Sequence, residues 1–375
     1  MGQVRLGRTG DRSVCLKAKG VAGAYPPELG QAAVLISQGR IKALGAGACE
    51  DKSAIRLDLP HLWLCPAPLD AHVHLWLKGG PVQNLAASAG AGLAAVRDLG
   101  RPAKAEALTE TPQPPPLLVQ AGMGLGARGE GGSWLAQGLE GAEQFTRAAW
   151  ERAQEGNQVV KVFATGLLDF ENPGQVLSPL AVSDTELSAA VRAAHRCGLK
   201  VSVHGSGVAA AEAALAAKAD CLEHGYFLNT DIFKQMAAQA MIWTPTLAAV
   251  KVHARDPEKR HEPKVRANLR AIAEGHMQAM RQAESLGVDL VLGTDAGSYG
   301  LDHGQAVFLE MQAWLEAGIS AQVVFKAATS RAARALGLEG EVGEIRVGAR
   351  AWLLGVRQDP RESPLVMKDP EWRSF

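Results

Sequence analysis

The chain has 375 residues, 47% of them hydrophobic and 21% charged, with 41 glycines and 19 prolines. That profile excludes a chain disordered throughout and fits two or three folded domains. Lysine plus arginine total 39 and aspartate plus glutamate total 39, so no net field draws a polyanion, and neither nucleic acid nor a membrane surface is an expected partner.

The opening MGQVRLGRTGDRSV has no apolar leader core, and Leu6 stands where an N-myristoylation motif needs Ser or Thr. No apolar run approaches the ~18 residues of a membrane span, so a cytoplasmic address is expected. The five cysteines are odd in number and contain no Cys-x-x-Cys pair, so neither a disulfide framework nor a thiolate zinc site is expected.

Residues 1–61 read as a small β module, in which Gln38-Gly39 separates two apolar runs as a hairpin turn does. From Leu62 short apolar runs alternate with longer segments of helical period. Eight such runs are predicted as strands: 62–75, 94–100, 116–122, 159–166, 200–207, 221–226, 241–247 and 289–297. Pro112 and Pro114-Pro115-Pro116 make a rigid entry to the third. Ser183 and Glu186 form a capping box for a helix that closes on Gly198. The pattern predicts an α/β fold in which residues 62–338 close a (β/α)₈ TIM barrel, an open doubly wound sheet being the alternative. After one last helix, SAQVVFKAATSRAARALGL, residues 339–375 return to short strands and are expected to join residues 1–61 in one discontinuous β-sandwich domain, with an irregular tail from Arg357.

His72 and His74 stand two apart on a strand, so both imidazoles leave the same face and one metal ion can take both. Lys161, His204, His224 and Asp295 lie at or near the C-terminal ends of four further strands, which a barrel gathers at one mouth. A lone histidine on a strand is usually a packed residue; four at matching places are not easily read so. Lys161 is flanked by apolar residues where an unpaired ammonium is costly. Reaction with carbon dioxide makes it a carbamate anion able to bridge two cations; the plainer alternative pairs it with Asp295 or Asp98. Asp98 reads as a structural carboxylate inside the barrel. Asp295 can ligate with one oxygen and accept a proton with the other, as general base and then acid toward a metal-bridging hydroxide attacking a polarised carbonyl.

The segments PLDAHVHL, KVFATG, VSVHGSG, CLEHG and GTDAG, in this order, resemble the successive signatures of the amidohydrolase superfamily in its two-metal, carboxylated-lysine subtype. The similarity spans nearly the whole chain and is nearest the prolidase-like and imidazolonepropionase-like branch. It implies that His72, His74 and Asp295 bind one divalent ion and His204 and His224 another, bridged by carboxylated Lys161. It also implies zinc, with manganese, iron or cobalt as alternatives, a small-molecule substrate and a homo-oligomer. Two departures stand out. AGMGLGARGEGG holds no histidine where dipeptide-cleaving members carry Gly-Gly-His, and Ala349-Arg350 replaces the usual Ala-Asp. The first puts peptidase activity in doubt.

The Gly124, Gly126, Gly129 pattern reads as a substrate loop, since no helix opens after it to make a nucleotide site. Arg128 is a candidate for binding a substrate carboxylate, Tyr226 for donating to a developing oxyanion, and His303 for a loop contact beyond Asp295, each against an ordinary packing or surface role. His61, His195, His253, His261 and His276 receive no role. The activity expected is hydrolysis of an amide, cyclic amide or peptide-like C–N bond. A lactonase or ester hydrolase on the same metals and a non-catalytic scaffold are the alternatives; a one-metal deaminase leaves the lysine without a purpose.

Overall fold

The computed structural model describes residues 13–25, 32–103, 105, 108, 116–129 and 133–375; Leu6, Pro112, Pro114 and Pro115 lie outside them. β1 (Val14–Val21) is followed by the expected hairpin, β2 (Ala33–Ser37) and β3 (Arg40–Leu44). Its two-residue turn puts Gln38 and Gly39 at φ 49° and 70°, the left-handed pair whose twist matches antiparallel strands. The run 62–75 is not one strand. Pro66 and Pro68 remove two ladder donors and divide it into β4 (Ile55–Pro66), in the small sheet, and β5 (Leu69–Val73), in the barrel.

The barrel continues with β6 (Ala95–Asp98), β7 (Leu117–Gln120), β8 (Gly124–Ala127), β9 (Ala136–Leu139), β10 (Val159–Phe163), β11 (Lys200–Gly205), β12 (Cys221–His224), β13 (Ile242–Thr244) and β14 (Asp289–Leu290). β5-β6-β7 and β14-β13-β12-β11-β10-β8-β9 are two hydrogen-bonded arcs, parallel throughout. Gln158 N–H to Gln120 C=O joins them on one side; Ala71 N–H to Leu292 C=O and Asp295 N–H to His72 C=O close the ring on the other. β8 and β9 were not among the expected strands: Gly122, at φ 65°, ends the third run, and the glycine-rich segment beyond it, read as a loop, pairs with β10 as β8.

The small β domain draws on both chain ends, as expected. Its six strands run β16-β15-β4-β1-β2-β3, where β15 (Leu353–Val356) and β16 (Trp372–Arg373) are the last of the chain. Leu16, Ile36 and Leu64 share a core there with Ile345, Leu353 and Trp372. The tail from Arg357 holds a 3-10 turn, Pro364–Lys368, and ends with β16 on β15, which buries Trp372 in that core. Two expectations fail in this region. The last helix is two, Ala321–Ala327 and Ser330–Leu336, separated at Thr329 (φ −126°, ψ −97°), whose hydroxyl bonds back to Phe325 C=O. Cys15 and Cys49 form a disulfide, their Cα atoms 5.6 Å apart, pinning a short turn to β1; a separation of 34 residues leaves no signature in the sequence.

The helix Asp184–Arg196 carries the expected capping box, Ser183 with Glu186, and Gly198 follows at φ 74°. Among the described residues no helix is long and apolar enough to cross a membrane.

Candidate metal centre

Period-two alternation sends Asp70 and His72 of β5 into the barrel, with His74 just beyond the strand end. His72 Nε2, His74 Nε2 and Asp295 Oδ1 converge: the oxygen is 3.4 Å and 3.2 Å from the two nitrogens, which are 3.4 Å from each other. A tetrahedral ion with bonds of about 2.0–2.1 Å spaces its ligands roughly 3.4 Å apart, so these three atoms fit one face of such a site. Buried hydrogen bonds hold this convergence in place. Asp70, buried, accepts N–H bonds from His72 (3.2 Å) and Thr294 (3.0 Å) and the Thr294 hydroxyl (2.7 Å), tying β5 to the segment that carries Asp295. Gly293 fits because a Cβ there would stand 2.8 Å from that of His72.

Beneath these ligands lies an ionic group that the sequence reading missed. Glu223 accepts a hydrogen bond from His72 Nδ1 at 2.7 Å, from Arg97 at 2.8 Å and from the Ser202 hydroxyl. All four side chains are buried. Burial pushes the Glu223 carboxyl up, but Arg97 and His72 outweigh it and hold it well below the usual range. With Nδ1–H engaged, His72 presents the lone pair of Nε2 to the cavity. The available signal was an acid in CLEHG at inward parity, two residues from Cys221, opposite an arginine in VRDLG. Asp98 is structural, as expected: it accepts the Leu75 N–H at 2.9 Å.

His204 and His224 end β11 and β12 with ring centroids 4.6 Å apart, and His224 lies 4.9 Å from His72. His224 Nδ1 bonds the Thr246 hydroxyl at 2.8 Å. Both His224 and Asp295 sit at positive φ, 65° and 62°, a conformation that costs a non-glycine residue energy and that clusters at functional sites. Desolvation first, then the neighbouring positive groups, depress these imidazoles: His72 to about 4, His204 to about 3 and His224 well below its ordinary value. All three are therefore neutral and able to donate lone pairs at neutral pH. Lys161 is 1% exposed and its Nζ has no hydrogen-bond partner. Burial pulls its ammonium down to about 8, against the pull of Glu223 and with the push of Arg97. The plainer reading, an ion pair with Asp295 or Asp98, does not form.

The three secondary candidates part company. Tyr226 lines the cavity, but its hydroxyl already donates to Thr246 C=O at 3.3 Å. Arg128 is exposed beside Glu140 and not on the cavity wall, and His303 is buried against Gly297, also off that wall. The cavity, about 270 Å³, is walled instead by residues given no role from sequence, among them Trp134, Phe163, Phe170 and His253. A larger hollow, about 1140 Å³, opens at the opposite end of the barrel by Lys200, Asp220 and Asp289, where no candidate ligand lies.

His253 and His276, read as ordinary helix residues, both face inward. His276 is buried, stacks 4.0 Å from Tyr226 and donates Nε2–H to Pro245 C=O. Burial lowers its pKa to about 4. The unfolded chain therefore takes up this proton below about pH 6.5 while the folded one resists until about 4, and stability is lost as pH falls through that window. Between pH 7 and 5 the His276→Phe variant is expected to lose about 2 kcal/mol less than the parent, measured by urea unfolding at both pH values.

A match to the Amidohydrolase family covers residues 63–372. An uncharacterized protein of Mycobacterium tuberculosis is 32% identical over 321 residues, 82% of this chain and 83% of its own. Ochratoxinase of Aspergillus niger is 28% identical over 247 residues, 64% of this chain and 50% of its own. The ochratoxinase structure superposes with a TM-score of 0.79 at 22% identity, covering 96% of this chain and 93% of that one. A Xaa-Pro dipeptidase with methionine bound in its active site superposes at 0.78 and 20% identity, over 96% of this chain and 97% of that one. These structural likenesses bear on the fold.

Proposed function

Because this chain belongs to the amidohydrolase family, we propose that it hydrolyses an amide, cyclic amide or peptide-like C–N bond of a small molecule with two divalent ions, zinc foremost. In this reading His72, His74 and Asp295 hold one ion, His204 and His224 the other, and Lys161 joins them as a carbamate formed from its amine and carbon dioxide with loss of a proton. What supports it is the buried, unpartnered Lys161 Nζ, whose charge is felt by His72 and Asp295, together with three candidate ligand atoms already at metal spacing. A free ammonium there is a liability; an anion between cations is not.

When bound, the ions supply Lewis-acid activation of water and of the scissile carbonyl. The chain supplies the rest. Glu223 fixes the His72 tautomer. Burial raises the Asp295 carboxyl, but the hydrogen bond and charge of His74, with His72 and Lys161 behind them, bring it below the usual value. It is thus ionised at neutral pH, takes the proton of the attacking water and returns it to the leaving nitrogen. The apolar wall around it limits competing water.

Metal analysis with a substrate panel tests the reading. About two equivalents of divalent metal, and chelator-sensitive cleavage of amides or hydantoin-like rings ahead of lactones, are expected. One equivalent, or lactones turned over in preference to every amide, overturns it.

A further inference from the structure

The cavity has a chemical character that the ligand set does not explain. Apart from the proposed ligands, its wall is mostly apolar, carried by Trp134, Phe163, Leu167, Phe170 and Val250. Its polar members, Ser206, Tyr226, His253 and Ser298, are all uncharged side chains or a neutral imidazole. Among the described residues no arginine or lysine lines it. The cation Arg260 lies 4.5 Å over the Tyr299 ring, which sits 4.9 Å from His253, and neither Arg260 nor Tyr299 lines the cavity. His253 is hydrogen-bonded to His261 at 3.0 Å, and burial, His261 and Arg260 lower its pKa to about 4, so it meets a ligand as a neutral imidazole. A free α-carboxylate docked on this wall, away from the proposed ligand cluster, loses its hydration with no cationic side chain to pair with.

The rim continues the same chemistry outward. Trp134 is 55% exposed and Leu167 58% exposed, yet both also line the cavity. Leu167 is held in a hairpin by Leu177 N–H to Leu167 C=O and Gly166 N–H to Ser178 C=O, and Asn268 anchors the backbone of Phe170 and Glu171. Large apolar side chains at the mouth of a cavity, on an anchored segment, gain by being covered.

Resting on the hydrolase reading above, we propose that the substrate is an uncharged amide carrying an aromatic or branched aliphatic group, and that Trp134 and Leu167 select it at the rim. A dipeptide with free termini is disfavoured by the same wall.

Three compounds separate the possibilities: phenylacetyl benzylamide, acetyl methylamide and the dipeptide Phe-Phe, with amine release followed on the metal-loaded protein. The first is expected to exceed both others in kcat/KM by roughly tenfold or more. Trp134→Ala and Leu167→Ser are each expected to shrink its advantage over acetyl methylamide by about tenfold, chiefly through KM. Phe-Phe cleaved as well as the benzylamide, or an advantage unmoved in both variants, overturns the proposal. Calorimetry with phenylacetyl benzylamide distinguishes the two levels of inference. Binding that Trp134→Ala weakens, without cleavage of any compound, upholds the pocket and sinks the hydrolase reading; no binding sinks the pocket.

Discussion

Alanine at position 161 is expected to lower kcat/KM on the order of 10³-fold and to reduce the bound metal from about two equivalents to about one. The side chain is deep in the barrel, 5.3 Å from the Phe163 ring centroid, and no carboxylate pairs with it. Its removal therefore breaks no hydrogen bond of the folded chain, and a large loss of activity without a loss of fold isolates its role toward the metals. The vacated space is the test of mechanism. If a carbamate bridges the ions, acetate or propionate should enter and restore part of both activity and metal content, because each supplies the missing pair of oxygens. An enzyme that keeps its full metal content and rate as Lys161→Ala has no such bridge.

The second large effect is expected at Glu223, a residue that touches no substrate. Glu223→Gln should weaken metal binding by about 10- to 100-fold, measured by competition with a chromophoric chelator, because His72 loses the carboxylate that fixes its tautomer. The same change leaves Arg97 buried with its charge uncompensated, which costs about 3–5 kcal/mol of folding stability in urea unfolding of the metal-free protein. The two consequences can be separated. Adding Arg97→Met should recover much of the stability, since replacing a whole buried pair with apolar groups is often neutral, while metal affinity stays low. Recovery of both together would mean that Glu223 acts only as a counter-ion to Arg97.

Much of this was legible in the sequence, and the reasons differ by element. Strand ends carrying His72, His74, Lys161, His204, His224 and Asp295 were visible because a parallel barrel places all such ends at one mouth. That these six gather at one mouth follows from strand order, while their division into two ligand sets rests on the resemblance to the amidohydrolase signatures. Glu223 and Arg97 were not found, although both lie in predicted strands, because a charge inside a barrel reveals its partner only when strands far apart in sequence are brought across the core. Their separation of 126 residues carries no local signal. The wall residues were missed for another reason: Trp134 lies in a single 3-10 turn and Leu167 in a loop, segments too short or irregular for periodicity to speak. His253 and His276 were discounted as helical, yet the inward face of a barrel helix is decided by packing. Pro66 and Pro68 did mark the boundary between sheet and barrel, and were passed over within an otherwise continuous apolar run.

The seam of the ring has a kinetic meaning. Asp70 grips Thr294 across 224 residues, and the backbone of His72 and Asp295 is joined at the same place. The ligand triad therefore does not exist in any folding intermediate that lacks either the first or the last barrel strand. Contacts so distant in sequence are made late, after the local units have formed. A nascent chain still missing β14 and the segment after it cannot bring the three atoms together, so on the proposed two-ion reading metal capture is expected to follow completion of the barrel.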